Sequence, residues 1–223
     1  MPRRLAPLLL VIPVLVVAAA GGTEPPPAEL VPPSTEPAPQ YDAVAWRRSR
    51  AVGKPWAGRL VDGVLLPSEG EDFFTWDPVL RQSPNRSWRR WGTSRLIRVV
   101  LKVLHEHRAA YSFAPRVGVA DLSRPHGGKF GRRFGGIGHA SHQNGLDVDI
   151  WYPRLDGLER RAERVDLIDL ELAQDLVDRF VAAGARYVFV GPRTPLTGPR
   201  RVVQPLINHD DHLHVRIPPR RDR

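Results

Sequence analysis

Cysteine is absent from all 223 residues, so no disulfide can staple the fold and no lipid can be attached through a cleaved N-terminal cysteine. Lysine is nearly absent as well: Lys54, Lys102 and Lys129 are the only three, and arginine carries almost all of the positive charge. The chain has no HExxH sequence to set two metal-binding histidines and a glutamate on one helix. It has no internal repeat, and no nucleic-acid motif accompanies its basic composition.

The first forty residues stand apart from the rest. Arg3 and Arg4 precede an apolar run from Leu5 to Val17 that ends in Ala18, Ala19 and Ala20, the pattern of a secretory signal peptide over residues 1–20. As a retained anchor the run is short against the ~20 residues of a membrane span, and Pro7 and Pro13 interrupt it. Residues 21–40, GGTEPPPAELVPPSTEPAPQ, have the composition of an extended linker that cannot bury a core. Residues 41–223 are then one folded domain with no stable membrane span. The formal charge is +9; the signal holds +2 and the linker −3, which leaves +10 on the domain. An exported domain of that charge meets anionic wall polymers and lipid headgroups before it meets nucleic acid, so no nucleic-acid partner is expected.

Thr93 to Ala110 sets Leu96, Val99, Val100, Val103 and Leu104 at helical spacing behind a Thr93 cap. A second helix is predicted from Asp169 to Ala183, with Leu172, Leu176 and Phe180 on one face and Gly184 at the C-terminal cap. Tyr187 to Val190 reads as a strand, Arg116 to Asp121 as a weaker one, and the glycine-rich SRPHGGKFGRRFGGIG after it as a long surface loop. These elements do not alternate regularly enough for a doubly wound parallel sheet. The expected class is α+β, with a mostly antiparallel central sheet flanked by helices.

Five of the eight histidines fall into two clusters, His139 and His142 in GHASHQNGLDVDIWYP and His209, His212 and His214 in NHDDHLHVRI. Side chains alternate along a strand, so His212, His214 and Arg216 share one face while Leu213, Val215 and Ile217 share the other. Likewise Asp147, Asp149 and Trp151 oppose Val148 and Ile150. Scattered solvated histidines would not run into two such patterns. Asn144-Gly145 can bend the chain so that His142 and Asp149 reach one ion. His, Asp and His are donors suited to Zn²⁺, and three protein ligands leave the fourth tetrahedral position open, as in catalytic rather than structural sites. His212, on the same strand face as His214, is the best-placed general base.

SHQNGLDVDI followed far downstream by HDDHLHVRI resembles the penicillin-insensitive murein endopeptidases, within the LAS metallopeptidases that include lysostaphin-type enzymes, D-Ala-D-Ala peptidases and hedgehog domains. The similarity covers residues 124–151 and 207–217 closely and residues 60–121 loosely. The resemblance implies a hedgehog and DD-peptidase-like fold and one zinc per chain on His142, Asp149 and His214, with His212 catalytic. His139 matches a histidine that lines the site or approaches the metal. His209 matches one that reaches His212 or the reacting centre. Residues 154–169 hold no histidine, which argues against a second metal.

Other residues carry competing readings. Asp147 either orients a ligand imidazole or is an ordinary surface carboxylate. Arg216 either binds a substrate carboxylate or forms a salt bridge to Asp147 or another strand carboxylate. Asp121 and Ser123 either shape the cleft floor or, the favoured reading, stabilise a turn; Trp76, Trp88 and Trp91 either stack on sugars or bases or, the favoured reading, pack against the Thr93 helix. The functional expectation is an exported zinc peptidase of the periplasm or cell-wall space, acting on peptide cross-links of peptidoglycan at the D-Ala to meso-diaminopimelate amide. Its rivals are a D,D- or L,D-carboxypeptidase of the same group and a non-catalytic wall-binding module.

Overall fold

The structure is a computed structural model, and it describes residues 41–131 and 139–219. The expected signal peptide and linker lie outside the described residues. Among those described, no helix is long and apolar enough to cross a membrane.

The elements run β1 (Arg50–Lys54), β2 (Ala57–Val61), β3 (Val64–Leu65), β4 (Phe73–Thr75), β5 (Trp91–Gly92), α1 (Ser94–Ala110), β6 (Val117–Val119), β7 (Asp147–Trp151), α2 (Leu170–Ala182), β8 (Tyr187–Val190), β9 (Val203–Pro205) and β10 (His212–Arg216). Six strands form the central sheet in the order β4-β6-β7-β10-β8-β9. β1 with β2 and β3 with β5 make two small antiparallel pairs. The class is α+β, as the sequence implies.

Three of the five pairings in the sheet are antiparallel, in line with the expectation, and two are parallel. The sheet is antiparallel where β6, β7, β10 and β8 meet, but parallel at both margins, β4 with β6 and β8 with β9. A parallel neighbour needs a crossover connection. The segment carrying α1 provides one between β4 and β6, and the irregular residues 191–202 provide the other.

Both helices end as their sequences specify. Thr93 Oγ1 accepts the Leu96 N–H at 3.2 Å, and Asp169 accepts from Glu171 and Leu172. Gly184, at φ +80°, closes α2: its N–H reaches the Val181 carbonyl, and the Ala185 N–H reaches that of Phe180, both at 3.0 Å. Leu96, Val100 and Leu104 of α1, and Leu176, Val177 and Phe180 of α2, join Val148, Ile150, Leu213 and Val215 in one core. The apolar face of β7 and β10 is thereby covered, and their other face is left for the site.

Candidate metal centre

β7 and β10 pair antiparallel with His212 opposite Trp151, His214 opposite Asp149 and Arg216 opposite Asp147. The alternation read from each strand alone thus becomes one polar ladder. Directly opposed residues on one face stand close enough for side chains to meet, and His214 Nδ1 lies 3.3 Å from Asp149 Oδ1.

The third contributor arrives on the loop before β7. Its backbone is tied down on several sides: the Gln143 N–H donates to Pro55 O at 2.9 Å, Gly128 N–H to Gln143 O at 2.8 Å, and Thr93 N–H to Gly145 O at 2.9 Å. Gly127 makes this approach possible, since at φ +70° a Cβ there would fall 2.1 Å from the Gln143 carbonyl oxygen. His142 itself adopts φ 65°, an uncommon conformation for a side-chain-bearing residue that places local strain in the site. Its Nε2 faces Asp149 Oδ1 at 3.3 Å.

Each imidazole has one nitrogen already committed. A carbonyl can only accept, so His142 donates Nδ1–H to Leu122 O at 2.8 Å and leaves Nε2 as a lone-pair donor. His214 donates Nε2–H to Asp147 at 2.8 Å, which leaves Nδ1 toward Asp149. His139 bonds Asp121 through Nε2 at 2.6 Å and turns Nδ1 toward Asp149 Oδ2 at 3.9 Å. Ligand atoms of His139, His142 and Asp149 lie within 4.8 Å of one another. His142 Nε2 and Asp149 Oδ1 are buried and have no hydrogen-bond partner. Buried polar atoms are normally satisfied, and two such orphans aimed at each other fit a bound cation with nitrogen and oxygen ligands.

The electrostatics agree. Burial by itself would raise the Asp149 carboxyl, but the facing imidazoles, His142 first, hold it well below the ordinary range. Burial would likewise lower His214, yet hydrogen bonds accepted by the Asp147 and Asp149 carboxylates keep it up at about 9. The site attracts positive charge strongly.

Supporting carboxylates extend the network. Asp147 is fully buried, bonded to His214 and to Arg216 Nε at 2.6 Å, so it is not a surface carboxylate. The salt-bridge reading of Arg216 holds, although the side chain also borders the cleft. Asp121 is not a turn residue: fully buried, it takes Arg89 Nε at 2.6 Å and Asn85 Nδ2 at 3.2 Å, and links them to His139. Trp88 packs beside Phe130 with Arg86 and Arg89 over its ring.

An open cleft of about 710 Å³ lies over these groups. His212 stands in it with Nε2 3.8 Å from Asp149 Oδ1 and Nδ1–H donated to Asp211 at 2.6 Å. The His209 ring lies tilted beside His212 with ring centres 4.7 Å apart, and it donates Nδ1–H to Ile207 O at 2.8 Å. Burial lowers the His209 pKa, which keeps the ring neutral. Tyr152, its hydroxyl pushed up to about 12 by burial, donates to His209 O and pins that loop. Trp56 at the β1–β2 turn, Arg161 and Ile207 also line the cleft. None of those three, nor Arg89 or Asp211, stood out in the sequence. Asp211 and Ile207 had a local signal, their place in or next to the HDDH run; Trp56, Arg89 and Arg161 are brought in by distant segments.

A buried cluster of imidazoles and carboxylates, open to a cleft on the polar face of an α+β sheet, forms a group of residues able to hold a metal ion. Residues 51–188 match the sequence profile of the penicillin-insensitive murein endopeptidases, more than half of the chain, and the chain belongs to that family. The match takes in His139, His142 and Asp149; His209, His212 and His214 lie beyond it. Among individual proteins, the chain is 28% identical over 196 residues to the penicillin-insensitive murein endopeptidase of Haemophilus influenzae, covering 76% of this chain and 64% of that one. The namesake from Yersinia enterocolitica is 27% identical over 194 residues, covering 75% of this chain and 66% of that one. The one from Pectobacterium atrosepticum is 33% identical over 125 residues, 44% of this chain and 43% of the relative. The chain spans just under two thirds of the length of the first two relatives.

Proposed function

We propose that this chain is a zinc-dependent murein endopeptidase that hydrolyses the D-Ala to meso-diaminopimelate amide in peptidoglycan cross-links. The observation that carries this reading is the pair of orphaned atoms, His142 Nε2 and Asp149 Oδ1, set 3.3 Å apart beneath an open cleft that also holds His212. Family membership and the printed names of the relatives supply the substrate class. A hedgehog and DD-peptidase-like fold is part of the same reading.

His142 through Nε2, Asp149 through Oδ1 and His214 through Nδ1 are the proposed zinc ligands, with His139 at their border. Bound there, zinc would acidify a water and polarise the scissile carbonyl. His212, whose Nε2 is the nitrogen not given to Asp211, takes the proton of the attacking water and returns it to the departing amine. His209, tilted against His212 and with its Nδ1–H given to Ile207, accepts a hydrogen bond at Nε2 from the reacting centre. Arg216 meets a substrate carboxylate at the cleft edge while its Nε anchors Asp147. The basic domain suits a carboxylate-rich polymer and the anionic polymers around it. Residues 1–20 as a cleaved signal and 21–40 as a spacer would put the domain in the periplasm or wall space.

Mass spectrometry of purified muropeptides after incubation with the protein and zinc tests this. Conversion of cross-linked dimers to monomers is expected; loss of a terminal D-alanine alone would make the protein a carboxypeptidase, and no change would leave a wall-binding module.

A further inference from the structure

Behind His212, on the side away from Asp149, lie two residues that the hydrolytic roles above do not use. Asp211 Oδ1 accepts the His212 Nδ1–H at 2.6 Å, and Asp211 Oδ2 forms an ion pair with Arg161 Nε at 3.0 Å, a contact of charge in which the N–H is not aimed for a hydrogen bond. Arg161 comes from the irregular segment between β7 and α2, fifty residues earlier in the chain than Asp211. Its guanidinium is 5.8 Å from the Trp151 ring centre, and Trp151 stands opposite His212 in the ladder with the two ring centres 5.6 Å apart. Arg161, Asp211, His212 and Trp151 therefore close on one another. The segment bearing Arg161 is held in turn by Arg154, nearly fully buried, whose Nη1 reaches the Arg161 carbonyl oxygen at 3.1 Å and Glu163 at 3.2 Å.

On the reading of His212 as general base, we infer that Asp211 and Arg161 are positioning residues that fix the His212 tautomer, with Arg161 deciding which way Asp211 can act. A neutral imidazole carries one proton, and whichever nitrogen donates leaves the other to accept. A carboxylate at Nδ1 accepts only, so Nε2 is kept as the base facing the cleft. Arg161 matters because its positive charge beside the second position favours an oxygen there over an amide NH₂. In Asp211→Asn the guanidinium selects the amide oxygen and turns the amide NH₂ to His212 Nδ1, which must then accept. The proton moves to Nε2, and the base is blocked without any loss of volume.

The test uses the zinc-loaded protein with an Asp211→Asn variant, an Asp211→Asn/Arg161→Met double variant and a His212→Gln reference that identifies the ring's signals. Long-range proton–nitrogen NMR should show His212 protonated at Nδ1 in the wild type and at Nε2 in Asp211→Asn. Muropeptide turnover by the single variant should fall by about 10²–10⁴-fold, the range for losing a general base, with KM and zinc content unchanged. In the double variant the amide is free to turn its oxygen back to Nδ1, so the wild-type tautomer and at least about tenfold of the lost turnover should return. Asp211→Asn that keeps the Nδ1 tautomer, or that loses turnover without any rescue by Arg161→Met, overturns the inference. A wild type that has the Nδ1 tautomer and binds zinc but cleaves no muropeptide would overturn the catalytic reading instead, leaving the geometry intact.

Discussion

The two faces of the β7–β10 ladder share one backbone and are buried to nearly the same depth, yet they are held by opposite means. On one face Val148, Ile150, Leu213 and Val215 are all fully buried, and need only shape to stay so. On the other, Asp147, Asp149 and His214 are all buried too, but each is retained through partners: His214 and Arg216 for Asp147, Asp147 for His214, and four imidazoles around Asp149. Burial alone does not distinguish core from site. The difference lies in whether the buried group can be replaced by something greasy. An apolar side chain contributes through area and close packing. A buried charge stripped of its partner costs several kcal/mol, and a well-packed apolar replacement for the whole pair can be neutral or stabilising. The polar face is thus retained for what it does rather than for the stability it gives.

The sharpest way to break that comparison is to injure each face once. Ile150→Ala should lower unfolding free energy by about 2–5 kcal/mol in denaturant titrations, while the folded fraction keeps its turnover. His212→Ala should do the reverse, retaining zinc and melting temperature while losing about 10²–10⁴-fold in turnover. If His212→Ala unfolds the protein and Ile150→Ala leaves stability intact, the two faces have been assigned the wrong way round.

A smaller effect separates ligand from support within the polar face. Asp147 touches the proposed centre only through the far nitrogen of His214, so Asp147→Ala should weaken zinc about 10–100-fold in competition with a chelator rather than abolish binding. Smallest is Thr93→Ala, on the scaffold behind both faces. Loss of the helix cap to Leu96 should cost about 1 kcal/mol of stability and leave zinc affinity unchanged.

What could be read in the sequence follows the same division. The faces of β7 and β10 were legible because a period of two needs only neighbours in the chain, and α1 and α2 because Thr93, Asp169 and Gly184 mark their ends. Tyr187 to Val190 reads as a strand and is β8. The parallel margins of the sheet were not legible: β4 has three residues and β9 three, too few for a pattern, and their partners are set by crossovers. Asp121 looked like a turn residue because its partners Arg89 and His139 are 32 and 18 positions away. Trp56 enters the cleft on a hairpin whose docking depends on Gln143 and Gly127, which no local spacing reveals. Distant pairings between single residues leave no periodicity behind, and these built the supporting half of the site.

The central claim is that two strands and one strained loop bring His142, Asp149 and His214 to a single ion, and zinc stoichiometry tests it most directly. Elemental analysis of the purified protein and of Asp149→Ala, with circular dichroism to verify that both are folded, should give about one zinc per chain in the first and none in the second. A wild type that cleaves muropeptides without zinc, or a folded Asp149→Ala that keeps its full complement, would contradict the account.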